Sequence, residues 1–252
     1  MRCVHYATIT LDLRALIGDD GCPPFGFLRQ PARIVLTIVA ATIRRRLSIA
    51  GHDRVWPAYC VDMDLKRLSL ADVVEIIPNR RHDDRGYFSE IFRRDWFAGN
   101  ICKVEFVQEN QSLSRCAGVV RGLHFQCPPF AQGKLVRCVA GAIFDVAVDI
   151  RYGSPTYGQW ASATLTAGEA NQLWIPPGFL HGFCTLVADS IVAYKVTEYY
   201  NFQSDKGVRW DDPDIAVAWP DIANPASLSD KDVHQPNLRD LPTYFCYATR
   251  ER

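Results

Sequence analysis

Apolar and polar positions alternate most regularly at Phe144, Val146, Val148 and Ile150, with Asp145, Ala147, Asp149 and Arg151 on the intervening positions. That period of two is the mark of a strand with unlike faces. Residues 136–139 and 142–150 flank a turn at Ala140-Gly141, which predicts a hairpin. Upstream, residues 73–78 read as a strand, Asp83-Asp84-Arg85-Gly86 as a turn and 87–92 as a second strand. Residues 104–108 and 118–126 are expected to be extended. Residues 160–165, 172–175, 182–186 and 191–199 continue the series of short strands. Such strands, with turns every 8–12 residues, predict an all-β sandwich or barrel. From Asp211 onward, Asp-Asp-Pro and Trp-Pro predict loops and short helices closing one edge.

The first 62 residues break this pattern. They hold eight Arg and five Asp but no Lys, Glu or Asn, a net charge of 8 − 5 = +3, which leaves 20 − 23 = −3 for the remainder. A strand-like piece at 7–13 has little nearby to pair with. We expect residues 1–62 to be a poorly ordered or weakly helical extension outside the functional unit. Met1 and Met63 are the only methionines, so Met63 is read as a natural start. The remaining 252 − 62 = 190 residues suffice for one complete barrel domain, 63–252.

Composition narrows the function classes. The charges balance, 28 basic against 28 acidic residues, so no global basic field exists for nucleic acid. The longest apolar-rich run, 34–43, is broken by Thr37 and Thr42 and followed by Arg44, Arg45 and Arg46. It is too short to span a bilayer, and its charges lie on the wrong side for a signal peptide. Nine cysteines are scattered with no Cys-x-x-Cys pair. Free thiols in a reducing cytoplasm fit better than disulfides or structural zinc. No Gly-x-Gly-x-x-Gly or P-loop is present, so a nucleotide is not held in the Rossmann manner.

Candidate chemistry concentrates at 119–126, Val-Val-Arg-Gly-Leu-His-Phe-Gln, with Lys134 ten positions past the histidine. Arg121 can hold a phosphate through two parallel bonds, and His124 can act as a base near neutral pH. Lys134 can neutralise charge that develops during reaction. The plainer alternatives are a solvated Arg121 and a core His124. The predicted hairpin would set Lys134 beside Asp145. A second histidine lies in Ile-Pro-Pro-Gly-Phe-Leu-His-Gly-Phe, 175–183, which resembles the second box of the cupins. Metal-binding cupins also carry His-x-His and a nearby Glu in a first box. Here that region reads His124-Phe125-Gln126, with no Glu before Glu169. His181 alone does not complete a catalytic metal site, so no metal is expected. In 194–200, Tyr194, Val196, Glu198 and Tyr200 share one strand face, for packing or for a phenolic acid. Ser229 in Leu-Ser-Asp-Lys-Asp, 228–232, reads as a helix N-cap.

Together the stretches DDRGYFSE, FVQENQS, VVRGLHFQ, QGKLVR, DVAVDIR, SPTYG, IPPGFLHGF, YKVTEYY and LSDKD, in this order between about residues 68 and 238, resemble the dTDP-4-dehydrorhamnose 3,5-epimerase family. The resemblance implies a cupin-type jelly-roll barrel, commonly a homodimer, with dTDP-4-dehydro-6-deoxyglucose as substrate and no cofactor. It implies that His124 removes the proton at C5 and then at C3, that Asp232 orients and stabilises its imidazolium, that Tyr194 returns a proton on the opposite face, and that Lys134 stabilises the enolate oxygen at C4. Arg85, Glu90, Gln108, Asn110, Arg121, His181 and Tyr200 are implied as nucleotide-sugar contacts, Phe88 as packing on the base, and Asp205 and Lys231 as further contacts. Rival readings are a single-position 3- or 5-epimerase, a non-catalytic sugar-nucleotide-binding cupin, and a metal-dependent cupin oxygenase or isomerase.

Overall fold

The structure, a computed structural model, describes residues 63–248. The extension expected at 1–62, with its strand-like piece and apolar run, lies outside the described residues. The strands are β1 (Met63–Arg67), β2 (Val74–Pro78), β3 (Arg81–Asp83), β4 (Gly86–Phe88), β5 (Gln108–Ser114), β6 (Val120–Gln126), β7 (Lys134–Ala140), β8 (Ala142–Asp149), β9 (Arg151–Tyr152), β10 (Trp160–Thr166), β11 (Gln172–Ile175), β12 (Phe179–Thr185), β13 (Ser190–Val196), β14 (Asp205–Gly207) and β15 (Phe245–Cys246). Helix α1 is Arg94–Asn100 and α2 is Asp230–Val233, with 3-10 turns at Pro225–Ser227 and Leu238–Asp240.

Two antiparallel sheets form the barrel, in the orders β1-β2-β11-β7-β13-β5 and β10-β8-β12-β6-β14. This is the all-β jelly roll with short C-terminal helices expected from the sequence. Val136, Leu173, Ile175 and Val192 from one sheet pack against Ile143, Ala147, Ala161, Leu165 and Phe183 from the other. Burial of these apolar faces is the main force closing the two sheets.

The expected hairpin at Ala140-Gly141 does not form. β7 pairs with β11 and β13, whereas β8 pairs with β10 and β12. Gly141, at φ +79, therefore turns the chain from one sheet into the other. A turn signal fixes where the chain reverses; both strands here find better partners elsewhere. The alternation in β8 also has an unexpected meaning. Val146, Val148 and Ile150 face a second core with Val208, Ile215 and Leu238 from the C-terminal segment. The face carrying Asp145 and Asp149 is no less buried. Asp149 is satisfied there by Arg151 Nε at 2.9 Å, Ser154 Oγ at 2.6 Å and Thr156 Oγ1 at 2.7 Å.

Other boundaries move. The strand expected at 87–92 stops at Phe88, and the extended stretch at 104–108 gives way to an edge strand that begins at Gln108. β5 is almost wholly polar, and its pairing with β13 supplies what its composition lacks. The strand from 191 ends at Val196, so exposed Tyr200 does not share a strand face with Tyr194. Helix α1, without a sequence signal, buries Phe97 edge-on against Trp174, ring centroids 5.2 Å apart.

Two glycines bring β6 and β12 together. A Cβ on Gly122, at φ +119, would lie 2.6 Å from Gly182 Cα, and one on Gly182 would lie 2.9 Å from Arg121 O. In this tight pairing His181 stands directly opposite His124, with a register shift before Phe183. Among the described residues no helix is long and apolar enough to cross a membrane.

Candidate active site

A cavity of about 330 Å³ opens where the sheets meet α2. Arg121, His124, His181 and Phe183 line it from β6 and β12, Lys134, Tyr194 and Ser112 from β7, β13 and β5, and Ser227, Ser229 and Asp232 from the segment ending in α2. The register accounts for this convergence. Lys134 pairs with Val196 and Tyr194 with Val136, so the two polar side chains are diagonal neighbours on one face.

His124 Nε2 and Asp232 Oδ1 form a close imidazole–carboxylate pair. The Ser229 hydroxyl accepts the Asp232 backbone N–H at 3.3 Å, which starts α2 and sets the carboxylate's position. The capping expected of Ser229 and the partnership implied for Asp232 are thus one piece of structure. Burial pushes the Asp232 carboxyl up, but the bond to His124 and its charge, with Ser229 and Lys231, hold it below the usual carboxylate range. A carboxylate so kept ionised can orient an imidazole and stabilise the imidazolium.

Burial brings Lys134 down to about 8, against the opposing pull of Asp205 and Asp145, and Lys231 adds to the fall. At neutral pH the amine is still a cation, facing a confined space. Burial raises the Tyr194 phenol above its ordinary value and keeps it protonated. Gln108 Nε2 donates to Asn110 Oδ1 at 2.7 Å. The Asn110 side chain and the Arg121 charge pull the phenol the other way, and burial outweighs them. Arg121 is tethered to Ser114 Oγ at 3.4 Å and Leu113 O at 3.3 Å. His181 Nε2 donates to buried Asp145 Oδ1 at 2.7 Å, and burial holds that imidazole below its ordinary pKa.

The structure thus gathers Arg121, His124, Lys134, His181, Tyr194 and Asp232 in one cavity. Gln108 and Asn110 stand behind Tyr194. Tyr200 donates to Asp205 Oδ2 at 3.1 Å, and Lys231 pairs with the same carboxylate. These three do not line the cavity, although Asp205 and Lys231 both act on the charge of Lys134. Arg85, Phe88 and Glu90 do not line it either. Arg85 pairs with Asp83 on the exposed β3–β4 hairpin, Phe88 is 69% exposed, and Glu90 lies 3.9 Å from Arg93. Sequence reasoning assigned no role to Ser112, Phe183 or Ser227; Ser112 and Phe183 end the stretches FVQENQS and IPPGFLHGF, and Ser227 lies outside every such stretch. It also assigned no role to Asp145, although the polar break in β8 marked it. Among the described residues no group of three or more His, Cys, Asp or Glu side chains is placed to hold a metal ion. Both imidazoles of the cavity are engaged by carboxylates.

Known proteins share this arrangement of chain. A family model described as dTDP-4-dehydrorhamnose 3,5-epimerase matches residues 67–240. A Sinorhizobium fredii dTDP-4-dehydrorhamnose 3,5-epimerase is 54% identical over 187 residues, 74% of this chain and 95% of that protein. The crystal structure of a Legionella pneumophila 3,5-epimerase in complex with dTDP-4-keto-L-rhamnose superposes with a TM-score of 0.70 at 38% identity, covering 75% of this chain and all of that one. A 3'-monoepimerase from Streptomyces bikiniensis, in complex with dTDP-quinovose, gives a TM-score of 0.64 at 33% identity over 68% of this chain and 86% of its own. With the family match spanning residues 67–240 and a relative 54% identical over 95% of its own length, the chain belongs to the dTDP-4-dehydrorhamnose 3,5-epimerase family and is an isomerase.

Proposed function

We propose that the protein inverts C3 and C5 of dTDP-4-dehydro-6-deoxy-D-glucose, giving dTDP-4-dehydro-L-rhamnose. The observation that carries this reading is the placing of the His124–Asp232 pair, Lys134 and Tyr194 around one cavity. A hydrogen α to the C4 ketone is acidic enough for an imidazole base when the enolate is stabilised. His124 takes that proton, the C–H electron pair moves into the C–C bond, and the carbonyl pair moves onto the C4 oxygen. Lys134 answers the resulting oxyanion. Tyr194 gives its proton to the opposite face of the carbon, the carbonyl re-forms, and exchange with solvent resets imidazolium and phenolate. One round inverts one centre, and a second round at the other α carbon completes the reaction.

Arg121, fixed by Ser114 and Leu113, is placed to bind the diphosphate. Binding energy far from the reacting carbons is thereby spent on positioning. The nucleotide-sugar contacts implied for Arg85 and Glu90, and the base packing implied for Phe88, do not fall in the cavity of their own chain. The place of Arg85 and Phe88 on an exposed hairpin supports a homodimer in which each copy's hairpin serves the other's site.

The test is incubation with substrate in D₂O. Deuterium at both C3 and C5, with the L-rhamno product, is expected. Uptake at one carbon alone would instead establish a single-position epimerase, the activity carried by the Streptomyces bikiniensis relative. Binding without uptake would leave a non-catalytic sugar-nucleotide module.

A further inference from the structure

Asp145 is a buried carboxylate that the proposed reaction leaves unused. It lies in β8, diagonal to His181: across the β8–β12 pairing Phe183 faces Asp145 and His181 faces Ala147. Its Oδ1 accepts His181 Nε2–H at 2.7 Å. Its Oδ2 is closed off from solvent and meets no hydrogen-bond donor among the described residues. A half-paired carboxylate in a dry site is costly unless a cation answers it.

His181 is not that cation. Burial lowers its pKa, Lys134 and His124 add to the fall, and Asp145 only opposes it. Lys134 is the better match: it lines the same cavity as His181, the hydrogen-bond partner of Asp145, and the Asp145 charge acts on it. The other carboxylate that reaches Lys134 is Asp205, already taken by Lys231 and the Tyr200 hydroxyl. The remaining groups around the cavity are Arg121 and His124 on β6, Tyr194 on β13, and Asp232 on α2, whose charge is committed to His124.

We infer that Asp145 is a positioning residue acting through two cavity side chains. It fixes His181 as a neutral imidazole, Nε2–H directed at the carboxylate and Nδ1 left as an acceptor for a sugar hydroxyl. It also supplies, through its buried and otherwise unanswered Oδ2, the negative charge that balances the Lys134 ammonium lining the same cavity as His181. The second half rests on the enolate-stabilising role given to Lys134 above. An uncharged amine at that point could not answer an oxyanion, and a protonated His181 would compete with Lys134 for the same carboxylate.

Asp145→Asn separates charge from shape, since the amide oxygen can still accept His181 Nε2–H. The measurement is the rate of deuterium uptake from D₂O at saturating substrate, followed from pH 6 to 9 beside the unaltered protein. The alkaline limb is expected to move down by about one pH unit, the low end for loss of a close opposite charge. The deficit then approaches about tenfold above pH 8 and fades toward pH 6. A purely structural role would lower the rate by the same factor at every pH, and an unmoved limb overturns the inference. Should Asp145→Asn fail to fold, ¹⁵N imidazole spectra of the unaltered protein decide instead, with the His181 signals identified by their loss in His181→Gln. The neutral Nε2–H form between pH 6 and 8 is expected; an Nδ1–H or doubly protonated ring overturns the inference. Lys134→Met is the companion. If it keeps the full rate, the enolate reading itself falls and the charge role of Asp145 with it. If it is inactive while the Asp145→Asn limb is unmoved, the Asp145 inference fails alone.

Discussion

His124 and His181 stand opposite one another across β6 and β12, and each meets a carboxylate through Nε2, Asp232 from α2 and Asp145 from β8. The two pairs differ in surroundings. Asp232 is capped by Ser229 and lines the cavity itself, so its imidazole is supported in carrying a proton away. His181 is more deeply buried and disfavoured as a cation. One dyad suits proton transfer and the other suits orientation, although the sequence offers two similar histidines.

His124→Ala is expected to fold normally and to lower turnover by about 10²–10⁴, the usual contribution of a general base. Asp232→Asn should lose much of the same activity, because an amide cannot stabilise the imidazolium. Circular dichroism establishes the fold and steady-state assays the rate. Near-normal turnover in His124→Ala rules out the base.

Tyr194→Phe separates the two halves of the reaction. Without the hydroxyl, proton removal by His124 still has its base and its oxyanion partner. Deuterium uptake should therefore persist while formation of inverted product falls. Equal retention of both would make Tyr194 a packing residue.

The pH profile follows from Lys134, which is charged below its pKa of about 8 and neutral above it. Only the ammonium stabilises an enolate, so kcat should fall as pH rises through about 8. An exposed lysine would put that limb near 10.4. Profiles in buffers of constant ionic strength test this. A rate flat to pH 10 would exclude the ammonium as an essential group.

Much of the barrel was legible because short apolar runs and turn residues mark strands locally. Gln172–Ile175 forms within the bounds its sequence suggests. What escaped was decided by partners distant in sequence. The Ala140-Gly141 turn looked like a hairpin, because nothing local shows that β7 prefers β11 and β13. The pattern sets Asp145 only on the polar face of its strand, because alternation distinguishes two faces without saying that both are buried. Asp232 looked like a capping segment because its partner, His124, lies 108 positions away. Its role came from resemblance and not from spacing.

Gly182→Ala tests the tight pairing that sets the two histidines face to face. The added methyl would meet Arg121 O at 2.9 Å and Leu123 Cδ2 at 3.0 Å. Backbone cannot yield as a flexible side chain does, so a loss of about 1–3 kcal/mol is expected by urea unfolding, as for overpacked cores. Activity should fall further than stability alone would explain, since His181 adjoins the substituted position. Unchanged stability would mean that β6 and β12 can separate at little cost.

The last prediction concerns the β3–β4 hairpin. Arg85 and Phe88 lie on an arm whose strands are wholly exposed, and neither they nor Glu90 lines the cavity of their own chain. If a second copy receives the arm, damage to arm and cavity should complement. Arg85→Ala combined with Glu90→Ala in one chain is expected to be weak through KM, because substrate is held poorly while His124 is intact. His124→Ala is expected to be inactive through kcat. In a mixed dimer, one site takes an intact arm from the His124→Ala copy and an intact His124 from the other, so unfolding and refolding the two together should restore activity to a fraction of the sites. The regained sites should show the KM of the unaltered protein. No regain on mixing, with dimers present by sedimentation, would place the arm's contacts within one chain, and monomers alone would remove the exchange altogether.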